Sequence, residues 1–230
     1  ARIFVNSNYT KSTLIDALGV PSDRIIVTYL AAHERVEVKS RPEIPEIEGL
    51  QQYFLYPAKL WPHKNHEFLY KTVSAMRDTF RKSRAALLLT GGFTPQDLAI
   101  FNAWANEYGT RDLIRPLGFL SESAKRYLFD NAAALIFPSK FEGFGMPVLE
   151  AMQAGCPVFC SNTTSLPEIA GEAAHYFDPE NVESLISLIE DYLKGSLEIE
   201  SKIKVGLERA KQFHWDNTFA KTLEGYQEIL

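Results

Sequence analysis

Cysteine is almost absent: Cys156 and Cys160 are the only two in 230 residues. A pair so few and so closely spaced builds no disulfide framework, which fits a reducing compartment. No apolar run approaches the roughly 18 residues that a membrane-spanning helix needs. The N-terminus Ala1-Arg-Ile-Phe-Val5 also lacks the charged, apolar and small-residue succession of a signal peptide. A basic block is missing too: 24 Lys+Arg stand against 29 Asp+Glu for a net charge of −5, and Arg77, Arg81, Lys82 and Arg84 are merely scattered over one helix and its exit. Nucleic acid is therefore excluded as the main partner. Repeats and low-complexity tracts are lacking, and 46% apolar, 12% aromatic and 23% charged residues leave disordered, collagenous and coiled-coil classes out. An initiator methionine is also wanting, as in a piece cut from a longer chain.

What is present is an alternation. At roughly 150 residues per domain, the length suits one complete α/β domain plus part of another. Short apolar runs at Tyr53–Tyr56, Ala86–Thr90, Leu113–Leu117, Ala133–Phe137, Val158–Cys160 and His175–Phe177 read as strands covered on both faces. The last of them are expected at the sheet edge. Helices are expected at His66–Arg81, Pro95–Tyr108, Glu122–Asn131 and Pro147–Ala154, then near 181–194, 197–212 and 216–229. The boundaries carry their own chemistry: Thr94 before Pro95 is an N-cap, Pro147 suits a first helical turn, and Gly155 followed by Pro157 ends a helix. Strands alternating with helices predict an α/β fold, a Rossmann-like parallel sheet flanked by helices.

Before residue 50 the pattern changes. A strand Ile3–Asn6, a helix Ser12–Leu18, a turn at Gly19–Asp23 and a strand Ile25–Thr28 form one β-α-β unit, and the proline- and acid-rich stretch 41–48 reads as an interdomain connector. One such unit buries too little surface to stand alone. The expected division is thus 1–48 as the tail of a truncated domain, 49–212 as the complete domain, and 213–230 as a C-terminal helix.

The strongest local motif is Phe137-Pro-Ser-Lys-Phe-Glu-Gly-Phe-Gly-Met-Pro-Val-Leu-Glu150: an apolar strand, a glycine-bearing loop and a proline-opened helix. Gly143 and Gly145 let the backbone approach a ligand closely, and the free N–H groups of the helix start favour an anion such as phosphate. A carboxylate in the first turns, Glu150, can accept both hydroxyls of a vicinal diol, while Glu142 on the loop faces the far end of the ligand. A sugar nucleotide has both features. A glycine loop taken alone serves equally as a tight turn in many α/β folds.

Followed by Gly155-Cys-Pro-Val158 and Leu166-Pro-Glu-Ile169, this motif resembles the C-terminal donor domain of the retaining glycosyltransferase family four, whose members pair two Rossmann-like domains in the GT-B fold. Leu89-Thr-Gly-Gly92 is similar to the family's second donor-domain strand, and residues 4–33 resemble its last N-domain unit, so the likeness covers nearly the whole chain. The resemblance implies that Glu142 contacts donor-sugar hydroxyls and Glu150 the nucleotide ribose. It implies too that Gly143, Phe144, Gly145 and Met146 meet sugar and diphosphate, that Val148 and Leu149 line the nucleotide side, that Leu120 in Gly118-Phe-Leu-Ser-Glu122 contacts the base, and that Gly91 belongs to the donor site.

A second constellation, Pro57-Ala-Lys-Leu-Trp-Pro-His-Lys-Asn-His66, follows the first strand of the larger domain. A nucleoside diphosphate leaving group needs fixed positive charge at its β-phosphate, which Lys59 and Lys64 supply. Family members usually carry arginine where this chain has Lys59, so a bidentate fork is replaced by a point charge. Lys59, Lys64 and Glu142 are the expected catalytic residues. The alternative for the two lysines is a pair of solvated surface charges. His63 and His66 lack a third ligand at zinc-like spacing; one of them is open to donating to a phosphate or capping the helix, and His33 is placed at the linker or cleft. Cys156 and Cys160 read as small buried thiols, and Phe93, Phe101, Trp104 and Tyr108 as a core or interdomain face.

The expectation is therefore a hexosyltransferase that uses UDP-glucose first and GDP-mannose as the open alternative. It needs no metal cofactor, meets its glycan or lipid-linked acceptor through the absent N-terminal domain, and serves polysaccharide or envelope assembly. It is placed in the cytoplasm, with peripheral association at the inner membrane face as a further expectation. A non-catalytic nucleotide-sugar-binding domain and a UDP-sugar epimerase of the same fold are the competing readings.

Overall fold

Six apolar segments line up side by side in the computed structural model, which describes residues 2–32 and 40–227. They are β3 (Gln52–Pro57), β4 (Ala85–Thr90), β5 (Ile114–Gly118), β6 (Ala134–Phe137), β7 (Val158–Ser161) and β8 (Ala174–Phe177), all paired in parallel. Every residue of β4, β6 and β7 is buried, because helices cover both faces of the sheet and leave no side of these strands to water. The fold class read from the sequence is the one observed.

Strand order is β5-β4-β3-β6-β7-β8. The chain starts in the middle at β3, works outward through β4 to β5, then returns to β6 and works outward the other way. Hence β8 is an edge as expected, but its companion edge is β5, and β7 is interior. Pro116 sits within β5, opposite Leu89, where an edge tolerates a missing donor.

The helices of this domain are α2 (His66–Ala75), α3 (Arg77–Lys82), α4 (Pro95–Glu107), α5 (Glu122–Asn131), α6 (Met146–Ala154), α7 (Leu166–Ala170), α8 (Val182–Leu193) and α9 (Ile199–Ala210). The expected single helix 66–81 is two, broken at Met76, whose ψ of 15° leaves the helical region. Thr94 and Asp97 form a reciprocal capping box at the start of α4, as the Thr-Pro signal implies. The short α7 was not anticipated, since five residues are too few to display a period. The connector is less free than its composition suggests: Ile44 and Ile47 are buried around a 3₁₀ turn at Pro45–Ile47, and Arg115 bonds the Glu46 carbonyl.

At the N-terminus, β1 (Ile3–Val5), α1 (Asn8–Leu18) and β2 (Ile25–Val27) form a two-stranded parallel unit of their own. Helix α1 begins at Asn8 rather than Ser12, because Ser7 caps it by accepting the Thr10 N–H at 3.1 Å. None of its residues is buried. The last helix, α10 (Trp215–Gln227), returns to this unit instead of standing apart: Phe4 and Tyr226 rings lie 5.4 Å apart, and the Thr218 hydroxyl bonds the Tyr29 carbonyl at 2.5 Å. The first and the last described elements of the chain thus meet. His33 lies outside the described residues.

Candidate functional site

Where β3 and β6 run side by side, the chain leaves their C-terminal ends in opposite directions, and a crevice opens between the two departing loops. Such a switch point is where open parallel sheets bind ligands. The loop after β3 carries Lys59 and Lys64; the loop after β6 carries Glu142. They are stitched together by the Lys140 N–H bonding the His63 carbonyl at 2.8 Å and by the Asn65 amide bonding Pro138 and Pro179 carbonyls at 3.2 and 2.8 Å. The Tyr56 hydroxyl donates from the core to the Lys64 carbonyl. Lys64 is therefore held by its backbone before its side chain does anything.

Lys64 Nζ and Glu142 Oε1 form an ion pair at 2.5 Å, with the side chains 20% and 12% exposed. Screening by water is weak at that depth, so the pair fixes both groups in place. Glu142 is gripped by its backbone as well: its N–H donates to Thr164 Oγ1 at 3.1 Å, and its carbonyl accepts from Ser165 Oγ at 2.9 Å.

Three residues on, the chain must turn sharply into α6. Gly145 does this at φ 100°, and a Cβ there would lie 2.6 Å from Leu166 Cδ2, so conformation and space both demand glycine. The Val148 and Leu149 N–H groups both bond the Gly145 carbonyl, at 2.9 and 3.3 Å. Their side chains are fully buried and line the core. The reason is helical: Pro147 and Glu150, one turn apart, face the cleft, and Val148, Leu149 and Met152 face the core. The Phe144 side chain also turns away, packing against Tyr29 and Phe213 with ring centroids 6.4 and 5.8 Å distant. Gly143 lies against Asn6 of the N-terminal unit, and Met146 packs partly buried on the core.

Beside the switch point is a cavity of about 310 Å³, lined among others by Lys59, Gly91, Gly92, Phe119, Leu120, Lys125 and Glu150. Four expected residues, Lys59, Gly91, Leu120 and Glu150, thus share one space although they come from four separate loops and helices. Gly91 closes its floor: a Cβ there would stand 3.0 Å from the Ala58 carbonyl. Lys59 has no ion-pair partner among the described residues, whereas Glu150 pairs with Lys125 at 3.0 Å, and Lys125 also reaches Glu122 at 3.1 Å. Burial works against the Lys125 charge, but the two carboxylates outweigh it and hold the ammonium pKa above the usual lysine value. Sequence reading passed over Lys125; its spacing of three from Glu122 on one helix was the available signal. The Ser121 cap on α5, accepting the Ala124 N–H at 3.2 Å, keeps this wall in place.

Of the two histidines His63 and His66, the structure takes the second out of the site. His66 neither faces the cleft nor caps its helix, but is buried between Tyr56 and Phe101 with Nε2 3.2 Å from the Ala58 carbonyl. Desolvation lowers its pKa from 6.5 to about 4, so the ring is neutral near pH 7 and braces the Lys59 loop from below. Cys156 and Cys160 are both buried, and burial pushes the Cys156 thiol up to about 12. Phe101 is buried, and Phe93, Trp104 and Tyr108 pack on the core around it. Among the described residues, no group of three or more His, Cys, Asp or Glu side chains is gathered as a metal site.

A strand order of this kind, with acidic and basic loops at its switch point, defines an open parallel α/β domain of the Rossmann-like class. The match to known proteins is more specific: residues 39–207 fit the family model described as glycosyl transferases group 1, and the chain belongs to that family. Relatives include O-antigen chain mannosyltransferase B of Escherichia coli, 34% identical over 98% of this chain and 60% of its own length. The serotype-specific mannosyltransferase WbdA of the same species is 28% identical over 99% of this chain and 29% of its own length. The chain thus spans about 60% or less of these curated relatives. Among solved structures, a glycosyltransferase from Rickettsia africae superposes with a TM-score of 0.80 at 18% identity, covering 99% of this chain and 63% of that one. The fold is that of the C-terminal, Rossmann-like half of a GT-B glycosyltransferase.

Proposed function

We propose that the chain is the donor-binding part of a retaining glycosyltransferase and that the sugar it handles is mannose, carried by GDP. The observation that bears most weight is the shared cavity, in which Lys59, a cation with no ion-pair partner among the described residues, and a carboxylate fixed by Lys125, Glu150, come together at the switch point. In this reading the ribose diol donates to Glu150, Leu120 and its loop border the base, and Lys59, Lys64 and the first amides of α6 face the diphosphate. Glu142, already paired with Lys64, reads the sugar hydroxyls. As the glycosidic bond to phosphate breaks, negative charge grows on the β-phosphate oxygen. Fixed lysines and helix-start amides oppose it without reorganising, while that same oxygen takes the acceptor proton on the face where the new bond forms. No covalent sugar–enzyme intermediate is required.

The names of the sequence relatives favour mannose over the glucose expected at first. UDP-glucose remains the comparison donor, because the Anabaena HepE protein, solved with UDP and glucose, superposes with a TM-score of 0.80 at 16% identity. Residues 1–48 are proposed as the final unit of an acceptor domain, 49–212 as the donor domain, and 213–230 as the helix returning to the first unit. A glycan or lipid-linked acceptor would dock on the remainder, in the cytoplasm and at the inner membrane face; among the described residues no helix is long and apolar enough to cross a membrane.

Calorimetric titration with GDP, GDP-mannose, UDP and UDP-glucose, each with and without magnesium, tests the reading. Saturable, magnesium-independent binding with preference for the guanosine nucleotides is expected. Preference for uridine nucleotides would overturn the donor, and binding of none of the four would overturn the site.

A further inference from the structure

Glu168 stands outside the cleft, yet its carboxylate is the most heavily used acceptor that joins the N-terminal unit to the large sheet. It lies on α7, in the Leu166-Pro-Glu-Ile169 stretch. Its Oε1 accepts the Asn8 N–H at 2.7 Å, the Asn8 side-chain amide at 2.9 Å and the Tyr29 hydroxyl at 2.8 Å, and its Oε2 accepts the Tyr9 N–H at 2.9 Å. These backbone groups are the first of α1, so a carboxylate 160 residues along the chain completes the start of that helix. A helix start has several N–H groups with no partner of its own and a positive end to its dipole, and an ionised carboxylate answers both. Burial, then the bond to Glu168, pushes the Tyr29 phenol up to about 12, so it stays a donor at every working pH.

The same short stretch holds something else. Thr164 and Ser165, immediately before α7, grip the backbone N–H and carbonyl of Glu142 at 3.1 and 2.9 Å. A second strap runs in parallel: Ser7, the cap of α1, donates to the Gly143 carbonyl at 2.7 Å. Arg209 on α9 bonds the Ile169 carbonyl at 2.6 Å and the Glu168 carbonyl at 2.5 Å, so α7 is held through its backbone as well. Residues 164–168 therefore hold Glu142 at one end and α1 at the other, and the two ends are joined again through Ser7 and Gly143.

We propose that Glu168 is a positioning residue that clamps the N-terminal unit onto the Glu142 loop, so that the loop keeps its place only while the two parts of the chain are joined. Its consequence for ligand rests on the donor-binding reading above: loosening the clamp disturbs the sugar end of the site and leaves the ribose end, held by Lys125 and Glu150, as it was.

The test is Glu168→Gln in this chain, read by hydrogen–deuterium exchange and by calorimetry. Glutamine preserves size but removes the charge and turns an NH₂ toward α1 amides. One charge-assisted bond lost predicts about tenfold faster exchange, in the peptides covering both 5–12 and 139–146, with the sheet strands unchanged. Affinity for GDP-mannose is expected to fall by a similar factor and that for GDP by clearly less, since the ribose end and Lys59 lie off this loop. Faster exchange confined to 5–12, with 139–146 and sugar selectivity as in the parent, would overturn the clamp and leave Glu168 a local cap. Should Glu168→Gln fail to fold, Tyr29→Phe, which removes the phenol's bonds to Glu168 and Asn8, and Ser7→Ala, which removes the bonds to Gly143 and Thr10, carry the same two readouts. Should the unmodified chain bind no nucleotide, the donor reading fails and the exchange pattern alone decides the clamp.

Discussion

Replacing Glu150 by alanine removes a carboxylate that touches the cavity and Lys125 at once. In the folded chain without ligand the loss is small: Lys125 keeps Glu122 at 3.1 Å, and both Glu150 and Lys125 retain partial contact with water, with side chains 21% and 28% exposed. Pairs of this exposure contribute about 1 kcal/mol or less. Ligand is affected differently. One oxygen of Glu150 is engaged by Lys125 at 3.0 Å, which leaves the other for a diol hydroxyl and a share of the first for its neighbour. One to two hydrogen bonds to a charged acceptor correspond to about 2–3 kcal/mol, or about a 30- to 150-fold rise in Kd. GDP and GDP-mannose should lose affinity equally, because the ribose is common to both, and Glu150→Gln should lose less than Glu150→Ala. Calorimetry on the three proteins, with thermal melts to confirm the fold, measures this. Unchanged GDP affinity in Glu150→Ala, against measurable binding by the parent, would refute the ribose assignment.

Glu142→Ala should instead separate the two ligands, costing GDP-mannose about 1.4 kcal/mol or tenfold while GDP changes little; equal losses in calorimetry would remove Glu142 from the sugar end. His66 makes stability depend on pH. Its folded pKa of about 4 lies below the unfolded 6.5, so the unfolded chain binds the extra proton, and stability complete above 6.5 is lost as pH falls toward 4. The loss between pH 7 and 5 is about 2 kcal/mol, measurable by urea unfolding, and His66→Gln should abolish that part of the slope. Gly145→Ala forces a side chain into φ 100° and against the buried Leu166, which costs about 2 kcal/mol, or about 5 °C in Tm for a chain this size; because the two side chains share one space, Leu166→Ala should destabilise the Gly145→Ala chain less than the parent in a double-mutant cycle of thermal melts.

Much of this molecule was written locally. The six apolar runs needed no partner to be recognised, because a strand covered on both faces is apolar nearly throughout, as β4 is from Ala85 to Leu89. Pro147, Gly155 and the Thr94-Pro95 cap marked helix ends, since capping is settled within a few residues. Glu142 and Glu150 were legible as a pair around one loop, and Lys59 and Lys64 as a pair around another. Lys125, Glu168 and the inward turn of His66 were not, because each matters through a neighbour far away in the chain: Glu150, Asn8 with Tyr29, and the Ala58 carbonyl held against Phe101. The split at Met76 and the burial of Ile44 and Ile47 have the same origin, since tertiary packing overrides weak local preference.

Periodicity, capping and turn chemistry act over a few residues, so composition and order along the chain already contained the α/β class, the strand count and the glycine-bearing loop. Which strands became edges, which of the residues flanking Glu150 face the cleft, how Lys64 finds Glu142 and how α10 comes back to β2 depend on packing between segments distant in the chain. Those contacts have no local signature, and the geometry of the site exists only once the sheet has brought its loops together.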